Sequence, residues 1–174
     1  MARVLDVRLE LVRPGPPHNQ LLSPLTPYMA LCGEGSPVTF HIDLEHRQLL
    51  NRLERLRYVA LDEHGHPGWI PGQLREAEVQ ELGEQIGRIL SNITTLGPEL
   101  ARARPTDNTS VAPFIHLRLV LSGSQLAILP FELARSPQSY PGEGRDLFLQ
   151  GSLPIVITRE VRRSRPLIAA WGAR

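Results

Sequence analysis

Between residues 74 and 95 the apolar side chains Val79, Leu82, Ile86, Ile89, Leu90 and Ile93 recur every three or four residues, whereas on either side of that stretch the repeat is two. This change of period limits the fold more than any other feature. A stripe at helical spacing belongs to a helix with one buried face, and strict alternation belongs to a strand with one buried face. Upstream, Val7, Leu9 and Leu11 alternate with Asp6, Arg8 and Glu10, and Val38, Phe40, Ile42 and Leu44 alternate with Thr39, His41 and Asp43. Downstream, Ile115, Leu117, Leu119 and Leu121 alternate with His116 and Arg118. The following "SGSQ" reads as a turn into the apolar residues 126–129, which predicts a β-hairpin over about 114–129. Ile155 to Val161 reads as a last strand. A first helix is expected over 46–60, where Leu49, Leu50, Leu53, Leu56 and Ala60 are ringed by Arg47, Arg52, Glu54, Arg55 and Arg57. "EHGHPGWIPG" breaks it. The second helix, 74–95, is read with acids in its first turns, and Gly97-Pro98 ends or kinks it. Strands flank these helices without a regular βαβ alternation. The expected class is therefore α+β, a mixed sheet of about four to six strands packed with two main helices.

At 174 residues and 41% apolar, the chain suffices for one substantial core, so a single domain is expected. Within it we distinguish an N-terminal region 1–73, a segment of about 74–163 and a C-terminal linker 164–174. The proline-rich "RPGPPHNQLLSPLTPY" predicts an irregular crossing, and "RARPTDNTSVAP" a polar connection. Arginine supplies every base, and the net charge of +1 leaves no field to steer nucleic acid or membrane, so neither is an expected partner. No apolar run approaches the roughly 20 residues that cross a bilayer. The opening "MARVLDVRLELV" lacks the unbroken apolar stretch of a signal peptide. With Cys32 as the lone cysteine, the expected location is the cytoplasm.

One stretch stands apart from ordinary punctuation: Leu129-Pro130-Phe131-Glu132-Leu133, preceded by an apolar run and followed by "ARSP". Pro130 suits the first position of a short helix, where its missing amide leaves nothing unpaired. Leu129 and Leu133 are anchors at helical spacing, and Phe131 adds a large apolar area that pins the turn to the sheet. Glu132 is placed to accept backbone amides or to pair with an arginine, Arg159 and Arg162 being the candidates. Taken with "EVQELGEQIGRIL" before it and "LFLQGSLPIVITREVRR" after it, this order of blocks resembles the segment leading into the caspase-like core of CHAT proteins, caspase-like domains associated with tetratricopeptide repeats. The resemblance covers about 78–163. Phe131 stands where the family has tryptophan, and Ala134 where it has leucine.

The resemblance implies the non-catalytic N-terminal part of a cysteine peptidase, regulatory in bacterial defence, with a caspase-like catalytic half and other proteins as partners. The family's histidine and cysteine follow the central motif. No histidine or cysteine follows Glu132 here, so this chain alone is expected to lack a nucleophile, and no catalytic, cofactor-binding or metal-binding residue is assigned. A stand-alone adaptor that kept the scaffold is the alternative. Arg159, Arg162 and Arg163 are candidate partner contacts, and the last strand is expected to lie at an unfinished sheet edge. The chain stops where the family's first core strand is expected, and cleavage after Arg174 by an arginine-preferring protease, including self-cleavage, would leave that end.

Other constellations carry blander readings. Cys32 and His64-Gly65 precede the motif and run in the wrong order for the family's dyad, so Cys32 is read as a small hydrophobe. Asp62, Glu63, His64 and His66 match no compact zinc spacing and read as a polar loop. Arg47, Arg52, Arg55 and Arg57 read as a solvated face. Gly83 and Gly87 would each cost up to about 1 kcal/mol in a helix, which predicts close approach by a strand or another helix. "GEGSP" and "PGEG" lack the lysine of a phosphate loop.

Overall fold

The structure, a computed structural model, describes residues 4–15, 21–57, 59–61, 64–102, 114–138, 140–148 and 153–162. It is an α+β fold built on a five-stranded mixed sheet. Strands β1 (Val4–Val12), β6 (Phe114–Leu121) and β7 (Ile155–Val161) run parallel, while β2 (Tyr28–Cys32) and β3 (Val38–Phe40) continue antiparallel from β1, giving the order β3-β2-β1-β6-β7. A separate two-stranded ribbon pairs β4 (Val59–Leu61) with β5 (Pro67–Trp69). The helices are α1 (His46–Arg55), α2 (Gly72–Ser91), α3 (Leu96–Ala101) and the single turn α4 (Ser124–Ala127), followed by a 3-10 turn at Phe131–Leu133.

Alternation on the parallel strands decides which face is covered. Val7, Leu9 and Leu11 sit level with Leu117, Leu119 and Leu121, and all six are buried in one cluster with Leu82, Ile86, Ile89 and Leu90 of α2. The helical layer therefore lies on that face. The other face carries Asp6, Arg8, Glu10, His116, Arg118, Thr158 and Glu160, largely paired among themselves.

Several expectations are corrected. No hairpin forms over 114–129: β6 already has β1 on one side and β7 on the other, so no edge remains for a returning strand. Leu126 and Leu129, three residues apart, are buried as parts of α4 and the turn after it. The first helix ends at Arg55, and Ala60 belongs to β4; Gly65, with φ of +79°, makes the left-handed turn of the ribbon that replaces the expected break. The second helix stops at Ser91, and its first turn holds no acid. Pro98 falls within the first turn of the separate α3, where a proline is tolerated. The irregular crossing gives way at Tyr28 to β2. Ile42 and Leu44 are buried beyond the end of β3. Val79 and Leu50 are exposed. The polar connection at 103–113 and the C-terminal linker lie outside the described residues.

Candidate functional site

The Leu129-to-Leu133 motif occupies the turn between α4 and the loop that leads to β7. Ser122 ends β6 with its N–H donating to the Leu11 carbonyl (3.0 Å), and its hydroxyl accepts the Arg13 N–H (3.0 Å). The chain then makes the one turn of α4 and leaves the carbonyls of Ala127 and Leu129 without helical partners, as any helix end does. Pro130 precedes the 3-10 turn, which closes with Leu133 N–H on the Pro130 carbonyl and Ala134 N–H on the Phe131 carbonyl. Leu129, Phe131 and Ala134 are fully buried, Leu133 is partly buried, and Glu132 points outwards.

Arg159 ties this turn to the sheet. Its position on β7 is level with Leu119 and Leu9, so the pattern of the strand would put an apolar residue there. The guanidinium instead donates to the Ala127 carbonyl (2.9 Å) and the Leu129 carbonyl (2.7 Å), pairs with Glu132, and lies 5.5 Å from the centroid of the Phe131 ring. A planar fork with several donors fits two carbonyls, a carboxylate and an aromatic face at once, which a lysine ammonium would not. Of the two arginines considered for Glu132, Arg159 is the one that pairs. Arg162 reaches Glu10 on the opposite face of the sheet, at 2.5 Å and 3.2 Å to its two oxygens. Arg163 lies outside the described residues.

Two of the glycines of α2, Gly83 and Gly87, receive the other side of the motif. A methyl group on Gly83 would strike the Leu133 carbonyl, and one on Gly87 would strike the Arg135 carbonyl. Arg135 N–H donates to the Gly83 carbonyl (3.0 Å), a bond from outside the helix to a mid-helix acceptor. A close approach is made, but by the irregular segment that follows the 3-10 turn and not by a strand or another helix. Beyond it, Ala134 accepts from Leu147 N–H (2.8 Å), Ser136 N–H donates to the Arg145 carbonyl (2.7 Å), and Tyr140 Oη donates to the Leu90 carbonyl (2.9 Å), so the loop closes back onto α2.

The remaining candidates are dispersed. Cys32 is fully buried on β2 opposite Leu9, and burial, with Glu99 adding to it, pushes its thiol up to about 11. Such a thiol is a poor nucleophile. His64 lies in the exposed turn of the β4–β5 ribbon, its ring 6.3 Å from that of His66, whereas Cys32 is buried within the main sheet. Asp62 and Glu63 lie outside the described residues. Among the described residues no group of three His, Cys, Asp or Glu side chains is placed to hold a metal. An open depression of about 620 Å³ between α2 and the 135–144 loop is lined by Glu84, Arg88, Ser91, Arg135, Gln138 and Glu143, mixed in charge and without a thiol.

Two polar constructions have no local signal in the sequence. Arg52 is not solvated: it pairs with Glu78 of α2, which is 8% exposed and also takes Arg55 at 3.4 Å, so α1 and α2 are joined through a nearly buried carboxylate. On the open sheet face, His116 Nδ1 lies 2.8 Å from Asp6 and Nε2 lies 3.0 Å from Thr158, linking β1, β6 and β7. Periodicity marks these side chains as polar. Their partners follow from parallel pairing over long separations. No helix among the described residues is long and apolar enough to cross a membrane. No family model, curated protein or solved structure matches this chain.

Proposed function

We propose that the chain is the non-catalytic, regulatory N-terminal part of a CHAT-type caspase-like cysteine peptidase, cytoplasmic and acting in bacterial defence, and that it completes and positions the protease fold. One observation carries this reading. The three sequence blocks that resemble the family meet in space as a single locked unit: Gly83 of the first accepts from Arg135, just after the central motif, and Arg159 of the third clamps Glu132, Ala127 and Leu129. Such a unit makes a rigid base without itself supplying a nucleophile. That division of labour suits a platform whose reactive sulfur lies in a catalytic half, on the same polypeptide or a partner chain.

The test is to express the native gene with an N-terminal tag, determine the intact mass of the purified product, and treat it with a fluorescent peptidyl acyloxymethyl ketone, which alkylates activated cysteine thiols. The expected result is labelling of a polypeptide that contains this sequence or co-purifies with it. A product that ends at Arg174 with no labelled companion would refute the reading. That outcome would favour the stand-alone adaptor, which has its own supporting observation. Trp69 is 81% exposed on the β4–β5 ribbon with Val59 directly opposite it, and aromatic side chains of this kind anchor protein interfaces.

A further inference from the structure

Three polar atoms lie sealed together where β1 ends, β2 begins and α4 starts. Tyr28 is wholly buried and Gln125 is 2% exposed, and neither the Tyr28 hydroxyl nor either end of the Gln125 amide has a hydrogen-bond partner among the described residues. Burial pushes the Tyr28 hydroxyl above its ordinary value, while Arg13, the Gln125 side chain and the Ser23 backbone pull it part of the way back. These groups therefore face one another. A backbone group that favours the phenolate is a donor, so it is the Ser23 N–H that turns towards Tyr28. The Ser23 carbonyl and hydroxyl serve their own turn, accepting from Thr26 N–H (3.1 Å) and Leu25 N–H (3.3 Å).

Packing holds both side chains where they are. Tyr28 is fixed by the pairing of β2 with β3 and by its ring, whose centroid lies 5.8 Å from that of Phe40. The Gln125 amide is folded back over Gly123, where an added methyl group would lie 2.6 Å from Oε1 and 2.8 Å from Nε2. Gly123 is itself anchored, between Ser122, which bonds to Leu11 and Arg13, and Leu126, whose N–H donates to the Gly123 carbonyl (3.1 Å). Fixed, buried polar groups that face one another without a direct bond are the setting in which proteins keep an ordered water, which commonly makes about three hydrogen bonds.

We infer that one water molecule is a resident part of this fold, bridging the Tyr28 hydroxyl, the Gln125 amide and the Ser23 N–H, and so fastening the crossing at 21–27 to α4. Water fits because it donates and accepts at once, and the site presents both needs: the Ser23 and Gln125 N–H groups require an acceptor, and Gln125 Oε1 requires a donor. A halide would suit the N–H groups beside Arg13 and leave Oε1 unmatched. A metal cation would meet those N–H groups and the Arg13 charge. The site does not depend on the peptidase reading, since it concerns how the irregular crossing is held to the sheet.

The test uses the full 174-residue chain. Tyr28→Phe removes the hydroxyl and leaves the ring, so the sign of its effect is diagnostic. A bridged hydroxyl stabilises, and its loss should lower the melting temperature by about 2–4 °C. A dry, unpaired hydroxyl costs desolvation, and its loss would hold or raise the melting temperature, which overturns the inference. Gln125→Met should also lower it, and the double variant should lose less than the two singles summed, because one water serves both; full additivity speaks against a shared molecule. A crystal structure of the wild-type chain should show a water within about 3.2 Å of both Tyr28 Oη and the Gln125 amide. A direct bond between the two side chains would overturn the bridge. So would a wild-type melting temperature that rises when chloride replaces acetate at constant ionic strength while that of Tyr28→Phe does not, since that result assigns the site to a halide.

Discussion

Replacing Gly87 by alanine separates intrinsic helix preference from tertiary contact, because the two act in opposite directions. In an exposed helix interior the change would stabilise by up to about 1 kcal/mol. Here the added methyl meets the Arg135 backbone carbonyl, which belongs to a segment anchored on both sides and cannot swing aside like a side-chain tip. Forcing an extra methyl into such a contact costs about 1–3 kcal/mol. Moving the segment away also stretches the Arg135 N–H bond to the Gly83 carbonyl, worth about 1 kcal/mol. The net expectation is a loss of about 2 kcal/mol, or about 4–8 °C in melting temperature for a chain of this size. Gly83→Ala should behave likewise, since its methyl would strike the Leu133 carbonyl. The control is Gly72→Ala in the first turn of α2, where the nearest atom is the Arg75 Nη2 at 3.7 Å; its melting temperature should hold or rise. Urea and thermal melts of the three variants decide the matter. If Gly87→Ala raises the melting temperature as Gly72→Ala does, the docking of the motif onto α2 is wrong.

Further outcomes follow from the same contacts. Arg159→Met should cost about 1–2 kcal/mol, because the Ala127 and Leu129 carbonyls lose the guanidinium and Leu129 keeps only the Phe131 N–H, whereas Glu132→Gln should cost under about 1 kcal/mol, since Glu132 is half exposed; urea midpoints compare them. Arg52→Ala should cost about 2 kcal/mol by leaving the nearly buried Glu78 with Arg55 alone, and Glu81→Ala, at an exposed position 3.7 Å from Arg52, should cost almost nothing in the same melts. Cys32 should resist dithionitrobenzoate at pH 8 and react on unfolding. Its folded pKa of about 11 lies above the ordinary 9.0, so the stability it contributes is full below about pH 9 and is lost as pH rises through 11. Burial raises Tyr28 and Tyr140 too, which adds to the same alkaline loss, and an alkaline denaturation series of wild type against Cys32→Ala isolates the thiol's share.

What the sequence revealed and what it hid divide along the range of the physics. β1, β6, β7 and α2 were legible because one face of each is buried, and burial of one face imprints a period on neighbouring residues. The hairpin misreading shows the limit of that signal. Residues 126–129 are apolar in either conformation, and what forbids a strand is the occupation of both flanks of β6 by residues more than thirty positions away at the nearest. β2 was hidden by the prolines before it, although Tyr28, Ala30 and Cys32 alternate inwards. Gly83 and Gly87 declared that something comes close, since glycine in a helix is costly without a reason, yet they could not say what. Arg159 was visible as a partner for Glu132 only through the order of the blocks; its charge on the covered face of a strand runs against the local pattern.

The contacts also imply coupling between sites that do not touch. Gly87 and Arg159 sit on α2 and β7, and both act on the segment from Ala127 to Arg135, Gly87 by admitting its far end and Arg159 by holding its near end. If that segment moves as a unit, displacing it with alanine at 87 already weakens the bonds of Arg159, and the second substitution then has less to remove. A double-mutant cycle of Gly87→Ala with Arg159→Met should accordingly be less than additive, by about 0.5–2 kcal/mol. Gly87→Ala combined with Glu10→Gln, which touches Arg8 and Arg162 on the opposite face, should be additive to within about 0.5 kcal/mol. Additivity in the first pair as well would mean that the turn yields locally at each end and does not move as one body between α2 and β7.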